Sequence, residues 1–301
     1  MGDIVMRPDS DTLVVGISSR ALFCLEDENR IYQELGVDEY EKYQKEHEND
    51  ILEPGAGFRL VKALLRLNNL SDKRLTEIII MSHNNADTSL RIFNSIEHYG
   101  LDITRAALTG GRAIAPYLDA FDTDLFLSCD EADVQMRINQ GGAAGLILSP
   151  SGGKTDPMQE MEHIRIAFDG DAVLFSDASE RIYKDKGLEA FEKNERDKKD
   201  EPLEAGPFAK LLSTLSNLQR CYREAPIRTA LVTARNAPAH ERVIKTLRRW
   251  GVHIDETFFL GGMSKAKVLE AFGADIFFDD QDVHLLPAGK VVPSAKVPYK
   301  Q

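Results

Sequence analysis

The feature that most constrains the fold of this chain is an internal repeat. Identical residues recur 151 positions apart without a gap, as Arg91 and Arg242 do. Other matched pairs are Asn85-Ala86 with Asn236-Ala237, Gly100 with Gly251, Gly110-Gly111 with Gly261-Gly262, Ala120-Phe121 with Ala271-Phe272, and Phe126 with Phe277. A repeat of this length indicates a duplicated unit of domain size. We therefore predict two tandem halves, residues 1–152 and 153–301, joined near Ser149 to Asp156.

Each half shows the same order of segments, which begins with a short apolar strand and a polar helical stretch. A long helix and then alternating strands and helices follow, an order that predicts an α/β fold. Near-continuous apolar runs are typical of parallel strands buried on both faces. In the second half the predicted strands are Ile164–Phe168, Ile227–Val232, Thr257–Leu260 and Asp275–Phe278. A helix is predicted over Ala237–Trp250, with Asn236 as N-cap and Pro238 in its first turn. The predicted fold class is therefore α/β, with two tandem Rossmann-like halves built on parallel sheets.

A charged stretch, Ser179 to Pro202, directly follows the first strand of the second half. Charge runs of this kind are more often solvated helices than binding patches. Its position predicts a small helical cap, near residues 178–206, over the site at the strand ends. Aromatic residues in or near this cap either stack on a substrate base or form the core of the cap. They are Phe175, Tyr183, Phe191 and Phe208.

The charge balance narrows the classes of partner. The chain has 301 residues and a formal net charge of -12. Nucleic acids and anionic membranes are bound mainly through Lys and Arg, so neither is an expected partner. An anionic substrate needs local positive charge or a metal. Three separated cysteines without a CxxC pair, and an acidic segment from Met1 to Thr12, favour a cytoplasmic protein with reduced thiols. A homo-oligomer is an open alternative to a monomer.

Polar residues with matching chemistry follow each predicted strand of the second half. Asp169-Gly170-Asp171 follows the first strand, Thr233-Ala234-Arg235-Asn236 the second, Lys265 the third and Asp279-Asp280 the fourth. Ligands of open parallel sheets bind beyond the carboxyl ends of the strands, so these groups are expected to meet at one edge. Taken singly, each has an ordinary explanation as a turn, a helix cap or a solvated side chain. Their order and location together favour one functional site.

This set fits hydrolysis of a phosphate monoester, which requires a positioned nucleophile, a proton donor and compensation of phosphoryl charge. Asp169 is the candidate nucleophile, which takes the phosphoryl group as an aspartyl-phosphate, and Asp171 is the candidate general acid and base. Thr233 and Lys265 are candidate ligands of the phosphoryl oxygens. Mg²⁺ is the expected cofactor, because the Asp169 and Asp279 carboxylates and the Asp171 carbonyl offer oxygen ligands.

Neighbouring residues complete the predicted site. Gly170 lets the chain turn closely around the phosphate, and Asp280 orients Lys265 or a metal-bound water. The predicted substrate-binding residues are Gly170, Ala234, Arg235 and Asn236. Three alternatives stay open: a non-enzymatic nucleotide-binding regulator, a glycosyltransferase with a DxD metal site, and a phosphatase of another phosphorylated metabolite.

The ordered motifs are similar to the four signature motifs of the haloacid dehalogenase superfamily. More narrowly, the chain resembles the cytosolic 5'-nucleotidase type I family from about Val14 to Tyr299. The segments that carry the resemblance are Ser18 to Phe23, Thr109-Gly110-Gly111, Ala167 to Asp177, Leu231 to Arg235 and Ile276 to Asp280. The resemblance implies two haloacid dehalogenase-like halves and a cytosolic, Mg²⁺-dependent enzyme. Its implied substrates are AMP and related ribo- or deoxyribonucleoside monophosphates.

The family resemblance also implies roles for single residues. It makes Asp169 the nucleophile and Asp171 the acid and base, in agreement with the reading of the residues themselves. One departure is the turn Gly262-Met263-Ser264, which lacks the proline expected before the phosphate-binding lysine. Lys267 is therefore a rival to Lys265 for that role.

The repeat places different chemistry in the first half. The residues that match Asp169, Asp171, Thr233, Lys265 and Asp279-Asp280 are Ser18, Arg20, Ser82, Ile114 and Ser128-Cys129. No carboxylate remains at these positions, so we predict that the first half is a degenerate, inactive copy that packs against the catalytic half. A sharper hypothesis is a nucleotide effector at a regulatory anion site, because arginine favours phosphate by charge and geometry. The candidate residues are Ser18, Ser19, Arg20, Ser82, Gly110 and Gly111.

Overall fold

One ten-stranded sheet runs through the protein in the computed structural model, which describes residues 12–148 and 158–301. Its strands are β1 (Leu13–Ser18), β2 (Thr76–Ser82), β3 (Arg105–Leu108), β4 (Leu125–Ser128), β5 (Ala144–Ile147), β6 (Ile164–Phe168), β7 (Ile227–Thr233), β8 (Glu256–Phe259), β9 (Ile276–Asp279) and β10 (Ser294–Lys296). The strand order is β3-β2-β1-β4-β5-β10-β9-β6-β7-β8. This mostly parallel sheet in a mixed α/β protein fits the predicted Rossmann-like fold.

One antiparallel pair sits at the centre of the sheet. Neighbouring strands run parallel except β5 and β10, where Ala295 lies opposite Ile147. The strands of the first half therefore point in the opposite direction to those of the second half. As a result, the carboxyl ends of β1 and β2 lie at one edge of the sheet, and those of β6 and β7 lie at the other edge.

The repeat in the sequence reappears in the bounds of the strands. Strands β2 and β7 begin at residues 76 and 227, and β3 and β8 begin at residues 105 and 256, each 151 positions apart. The four strands predicted for the second half are present with ends shifted by at most one residue. The fifth strand of each half, β5 or β10, was not predicted, because a segment of three or four residues carries too little periodic signal.

Helices cover the two faces of the sheet. They are α1 (Ser19–Leu22), α2 (Glu26–Leu35), α3 (Val37–Glu46), α4 (Phe58–Leu65), α5 (Leu90–His98), α6 (Ala115–Ala120), α7 (Glu131–Asn139), α8 (Ala178–Asp197), α9 (Ala209–Cys221), α10 (His240–Trp250), α11 (Ala266–Phe272) and α12 (Asp282–Ala288). Two successive residues of β9 show that both faces are buried. Phe278 belongs to the same hydrophobic cluster as Leu211 of α9, and Phe277 belongs to a second cluster with Leu269 of α11. Both side chains are fully buried. The sheet is therefore a shared core between two helical layers.

Two local features differ from the sequence-based expectation or refine it. Helix α10 begins at His240 rather than Ala237, and the main-chain carbonyl of Asn236, not its side chain, accepts the His240 N–H. The predicted N-cap role of Asn236 and the predicted place of Pro238 in the first turn were wrong, because both residues precede the helix. Ala237, the residue before Pro238, is disfavoured in the helical conformation, so the helix begins later than predicted. The predicted cap region is helical: α8 spans Ala178–Asp197 and bends at Gly187, whose φ is +79°.

The predicted joint of the two halves, Ser149 to Asp156, lies outside the described residues, as does the boundary between residues 152 and 153. Within residues 12–148 and 158–301, no helix has the length and apolar character needed to cross a lipid bilayer.

Candidate active site

The carboxyl ends of β6, β7 and β9 bring the predicted catalytic side chains together. Asp169 directly follows β6, Thr233 is the last residue of β7, and Asp279 is the last residue of β9. Lys265 reaches the same place from the residue that precedes α11. All four residues are at most 4% exposed. They form one enclosed polar site, which is the arrangement expected where parallel strands end together.

Lys265 lies between two carboxylates. Its Nζ is 2.7 Å from Asp169 Oδ1 and 2.6 Å from Asp279 Oδ2. Burial raises the pKa of Asp169 to about 6, while the charge of Lys265 acts in the opposite direction. Burial would also raise the pKa of Asp279, but His284 and Lys265 outweigh it and the pKa is lowered. Although burial lowers the pKa of Lys265, the two carboxylates raise it more, so the ammonium stays charged.

The turn before Lys265 is formed by two glycines instead of the proline that was expected there. Gly261 and Gly262 have φ values of +58° and +85°, a region of conformation that glycine adopts without strain. These residues turn the chain from β8 towards α11. Lys267, the alternative phosphate-binding lysine, is exposed on α11, so it is Lys265 that lies beside Asp169.

Gly170 allows a close approach between two loops of the site. A Cβ atom at this position would lie 3.2 Å from Thr233 Oγ1, tighter than most side-chain contacts. The Thr233 hydroxyl also accepts the Arg235 N–H at 3.2 Å, which fixes the turn after β7. The hydroxyl of Thr233 therefore lies directly against the loop that carries Asp169.

Asp171 points to an arginine rather than to Lys265. Arg235 Nε and Nη2 donate to the two Asp171 carboxylate oxygens at 2.8 and 2.6 Å. Arg235 Nη1 donates to Glu195 of the cap helix at 2.6 Å, and Arg242 Nη1 donates to the other oxygen of Glu195 at 2.9 Å. Although burial lowers the pKa of Arg235, Asp171 and Glu195 raise it. A buried chain of ion pairs therefore links the candidate acid and base to α8, and no motif in the sequence indicates Glu195.

Tyr299 contacts the second carboxylate of the Asp279-Asp280 pair. Its hydroxyl lies against Asp280 Oδ2 and also 3.0 Å from Glu180 Oε1 on α8. Burial and the nearby charge of Asp169 raise the pKa of Asp280 to about 8. The Tyr299 carbonyl accepts a hydrogen bond from Gln135 of α7 at 2.8 Å. The segment after β10 thus joins the first half, the cap and Asp280 at one point.

The same site offers ligands for a divalent cation. Within the described part of the chain, one group of three potential ligands lies within 4.8 Å, and it comprises Asp169, Asp279 and His284. The Asp280 Oδ1 atom is buried without a hydrogen-bond partner nearby in the described residues. Two buried carboxylates with a neighbouring unpartnered oxygen fit a hard cation such as Mg²⁺. The Asp171 carboxylate is not part of this group, so the expected contribution of Asp171 through its carbonyl stays a prediction.

The predicted substrate-binding residues differ in their surroundings. Ala234 and Asn236 are exposed at the turn after β7, whereas Arg235 is buried in its contacts with Asp171 and Glu195. Among the aromatic residues near the cap, Phe175 and Phe208 are fully buried core residues. Tyr183 is half exposed and packs edge-on against Phe191 at 6.3 Å, so these two rings are the candidates for contact with a base.

The candidate anion residues of the first half also come together, at the opposite edge of the sheet. They line a cavity of about 530 Å³ together with residues of α2 and α3. The members of the predicted set that line it are Ser18, Ser19, Arg20, Ser82, Gly110 and Gly111. The first half therefore has a cavity where the second half has its cluster of carboxylates.

Comparison with known proteins identifies the family of the chain. The family model described as 5'-nucleotidase matches residues 5–301. The chain belongs to the 5'-nucleotidase family. This 5'-nucleotidase family chain is 41% identical over 288 residues to "Cytosolic 5'-nucleotidase 1B" of Homo sapiens. The alignment covers 91% of the chain and 47% of that relative, so the chain spans about half the length of the curated relative it matches. No solved structure matches the chain.

Membership of the 5'-nucleotidase family confirms the resemblance that the motifs indicated. The family match extends across both halves, so it includes the first-half cavity as well as the cluster of Asp169, Lys265 and Asp279. Both edges of the sheet thus belong to the 5'-nucleotidase unit.

Proposed function

We propose that the chain is a Mg²⁺-dependent 5'-nucleotidase that hydrolyses nucleoside 5'-monophosphates to nucleoside and phosphate. The observation that carries the proposal is the buried cluster of Asp169, Lys265 and Asp279 at the carboxyl ends of parallel strands. Membership of the 5'-nucleotidase family supports the substrate class. The cluster combines a nucleophile with a cation within hydrogen-bond distance, as transfer of a dianionic phosphoryl group requires.

The proposed reaction has two displacements at phosphorus. An Asp169 carboxylate oxygen attacks phosphorus, the bond to the nucleoside 5'-oxygen breaks, and the phosphoryl group becomes an aspartyl-phosphate. Asp171 gives a proton to the leaving oxygen and then takes one from the attacking water, which releases phosphate and restores Asp169. In the free protein Arg235 holds the Asp171 carboxylate with two hydrogen bonds. We infer that Asp171 turns away from Arg235 when substrate enters.

The other groups of the site compensate charge and position the phosphate. The Lys265 ammonium and the Thr233 hydroxyl would donate to the phosphoryl oxygens, in a site from which water is largely excluded. Asp169 and Asp279 would hold Mg²⁺, which supplies further compensation of the negative charge on the phosphoryl group. The Lys265 and Thr233 side chains are already buried before substrate arrives.

The cap suggests where the nucleoside lies. Tyr183 and Phe191 stand on α8, and the Arg235 guanidinium lies 5.3 Å from the Phe191 ring centre. A base stacked beside these rings would lie near Arg235, and the exposed Asn236 follows Arg235 in the chain. This arrangement favours AMP, IMP and deoxyribonucleoside monophosphates over small sugar phosphates, because a sugar phosphate has no ring to stack on the cap.

We also propose that the two halves arose by duplication and that the first half has lost catalysis. The equal spacing of the strands supports the duplication. The replacement of Asp169 by Ser18 at the matching position supports the loss of activity. The name of the human relative supports a cytosolic location for this chain too.

A substrate panel with a nucleophile variant tests the proposed function. Release of phosphate from AMP, IMP, dAMP and ribose 5-phosphate is measured with Mg²⁺ and with EDTA. We expect hydrolysis of the nucleotides with Mg²⁺ only, and a loss of about 10³-fold or more in Asp169→Asn, because an amide is a poor nucleophile. Asp197→Asn, an exposed change on the cap helix, is the matched control and should keep the activity.

Two outcomes would contradict this function. Higher kcat/KM for ribose 5-phosphate than for AMP would point to a phosphatase of another metabolite. Binding of AMP without release of phosphate, in the presence of Mg²⁺, would point to a non-enzymatic regulator.

A further inference from the structure

The first-half cavity has features of a binding site that the proposed catalytic reaction does not use. Its volume of about 530 Å³ lies within the range of about 300 to 1,000 Å³ of small-molecule sites. It opens at the carboxyl ends of β1 and β2, at the opposite edge of the sheet from Asp169. We propose that this cavity binds a nucleoside phosphate without a metal ion, with the phosphate against Ser18, Arg20 and Ser82.

Hydroxyl groups line the end of the cavity beside the strands. The oxygens of Ser18, Ser82 and Ser128 each accept a main-chain N–H from the turn that follows, at 3.2, 3.2 and 3.0 Å. These bonds hold the side chains in place and use one acceptor position of each oxygen. A serine hydroxyl also carries one donor hydrogen, which these bonds do not use. The hydroxyls of Ser18 and Ser128 can therefore donate to the oxygens of an anion. Ser82 Oγ lies 3.2 Å from Ser19 Oγ, so one of these two serines can donate to the anion while the other donates to its neighbour.

Positive charge accompanies the hydroxyls. Arg20 lines the cavity, and its Nε is buried without a partner in the described part of the chain. Its Nη2 is 3.3 Å from Glu26, a long ion pair on the exposed side. His83 also lines the cavity, and its hydrogen bond with Asp133 raises the pKa of the ring. The Arg20 guanidinium would compensate the charge of a phosphate, whereas His83 is already paired with the Asp133 carboxylate.

The matching positions explain why this phosphate would need no metal. In the catalytic half Asp169, Asp171 and Asp279 repel an anion unless a cation is present. The matching residues of the first half are Ser18, Arg20 and Ser128. Two neutral hydrogen-bond donors and one cation therefore stand where the catalytic half has three carboxylates. No group of three metal ligands occurs around this cavity in the described ranges 12–148 and 158–301.

The other end of the cavity has the groups that a nucleoside requires. Tyr32 and Tyr40, on α2 and α3, pack edge-on with their ring centres 5.7 Å apart. Asn85 donates to Glu41 at 2.8 Å, so an amide and a carboxylate stand beside the rings. Aromatic rings suit contact with a base, and the carboxylate can accept from sugar hydroxyls. The cavity is too long for inorganic phosphate alone.

The cavity is connected with the candidate active site through a series of contacts. Helix α7 starts at the cavity, where Asp133 pairs with His83 at 2.8 Å. The middle of α7 contacts the segment after β10, because Gln135 donates to the Tyr299 carbonyl at 2.8 Å. The hydroxyl of Tyr299 in turn contacts Asp280. One helix therefore contacts both the cavity and the segment that carries Tyr299.

The test measures binding of AMP to the whole chain by calorimetry in EDTA, where the proposed hydrolysis does not proceed. Ser18→Asp adds a negative charge at the phosphate end and keeps the helix N-cap, since aspartate caps as well as serine. Arg20→Met removes the cation and keeps a side chain of similar length. We expect AMP binding to weaken at least tenfold in each variant. Thr233→Val, the matched change in the catalytic half, should alter it by less than twofold.

Two ligand controls define the class of ligand. Adenosine and inorganic phosphate should each bind at least tenfold more weakly than AMP in EDTA. Unchanged AMP binding in Ser18→Asp, or loss of binding in Thr233→Val, would overturn the proposal, and so would absence of AMP binding to the unsubstituted chain. Thermal unfolding shows whether each variant is folded, and if Arg20→Met is not, Ser18→Asp decides alone. Hydrolysis with Mg²⁺ is a separate measurement, so failure here leaves the proposed function unaffected.

Discussion

Replacement of Lys265 by methionine is the sharpest test of the catalytic cluster. The side chain is 1% exposed, and its ammonium contacts Asp169 and Asp279 at 2.7 and 2.6 Å. Methionine has a similar length but no charge, so the change leaves two buried carboxylates without their shared cation. Lys267→Met removes the same charge from an exposed position of α11 and is the matched control.

The structure sets the size of the expected effects. Removal of one partner from a buried ion pair costs about 3–5 kcal/mol, a large part of the roughly 5–15 kcal/mol by which such proteins are stable. Loss of one preorganised donor to the transition state lowers kcat by about 10² to 10³. Lys265→Met is therefore expected to lower both the free energy of unfolding and kcat. Lys267→Met should change the free energy of unfolding by less than about 0.5 kcal/mol.

Two assays separate these effects. Urea unfolding gives the free energy of unfolding, and phosphate release from AMP with Mg²⁺ gives kcat for the folded fraction. If Lys265→Met kept kcat within tenfold of the unsubstituted chain, Lys265 would not stabilise the phosphoryl group. An equal loss in Lys267→Met would show that the position beside Asp169 has no special role.

Three further changes test other parts of the structure. Tyr299→Phe removes the hydroxyl that contacts Asp280. We expect kcat for AMP to fall about tenfold, because a buried carboxylate left without its donor costs about 1–3 kcal/mol. An unchanged kcat would rule out a positioning role for Tyr299. Asp133→Asn should lower the pKa of His83, which Asp133 raises in the folded protein. The loss of stability in Asp133→Asn, relative to the unsubstituted chain, should be largest below the pKa of about 6.5 that histidine has in the unfolded chain. It should decrease as pH rises through the pKa of His83 in the folded protein. A loss that increases with pH in thermal unfolding would contradict the pairing. Gly206→Ala would place a Cβ against the main-chain oxygens of Val173 and Phe175, so the urea midpoint should fall by an amount equivalent to more than about 2 kcal/mol. An unchanged midpoint would contradict this packing.

The parts of the fold that the sequence predicts are those set by repeating patterns. The apolar runs of β6 and β7 locate the strands to within a residue, because strands buried on both faces need continuous apolar sequence. The meeting of Asp169, Thr233 and Asp279 follows from the strand ends, since parallel strands end at one edge. Patterns that repeat along the chain thus predict both the sheet and the centre of the site.

The parts that the sequence does not predict arise from packing between distant segments. Glu195 meets Arg235 because the cap helix folds over the site, and no spacing in the sequence indicates that contact. Tyr299 reaches Asp280 only because β10 enters the sheet beside β9, and a strand of three residues is too short to predict. His284 lies five residues after Asp279, and its position on α12 becomes informative only once the start of that helix is known.

The antiparallel contact between β5 and β10 has a consequence for the independence of the two halves. Each of these strands is the last one of its half, so a half produced alone would display an unpaired strand edge, the kind of surface that promotes aggregation. Deletion of the first half would also remove Gln135, which anchors the tail carrying Tyr299. Removal of either half would therefore leave the edge of the remaining strand, β5 or β10, without its partner.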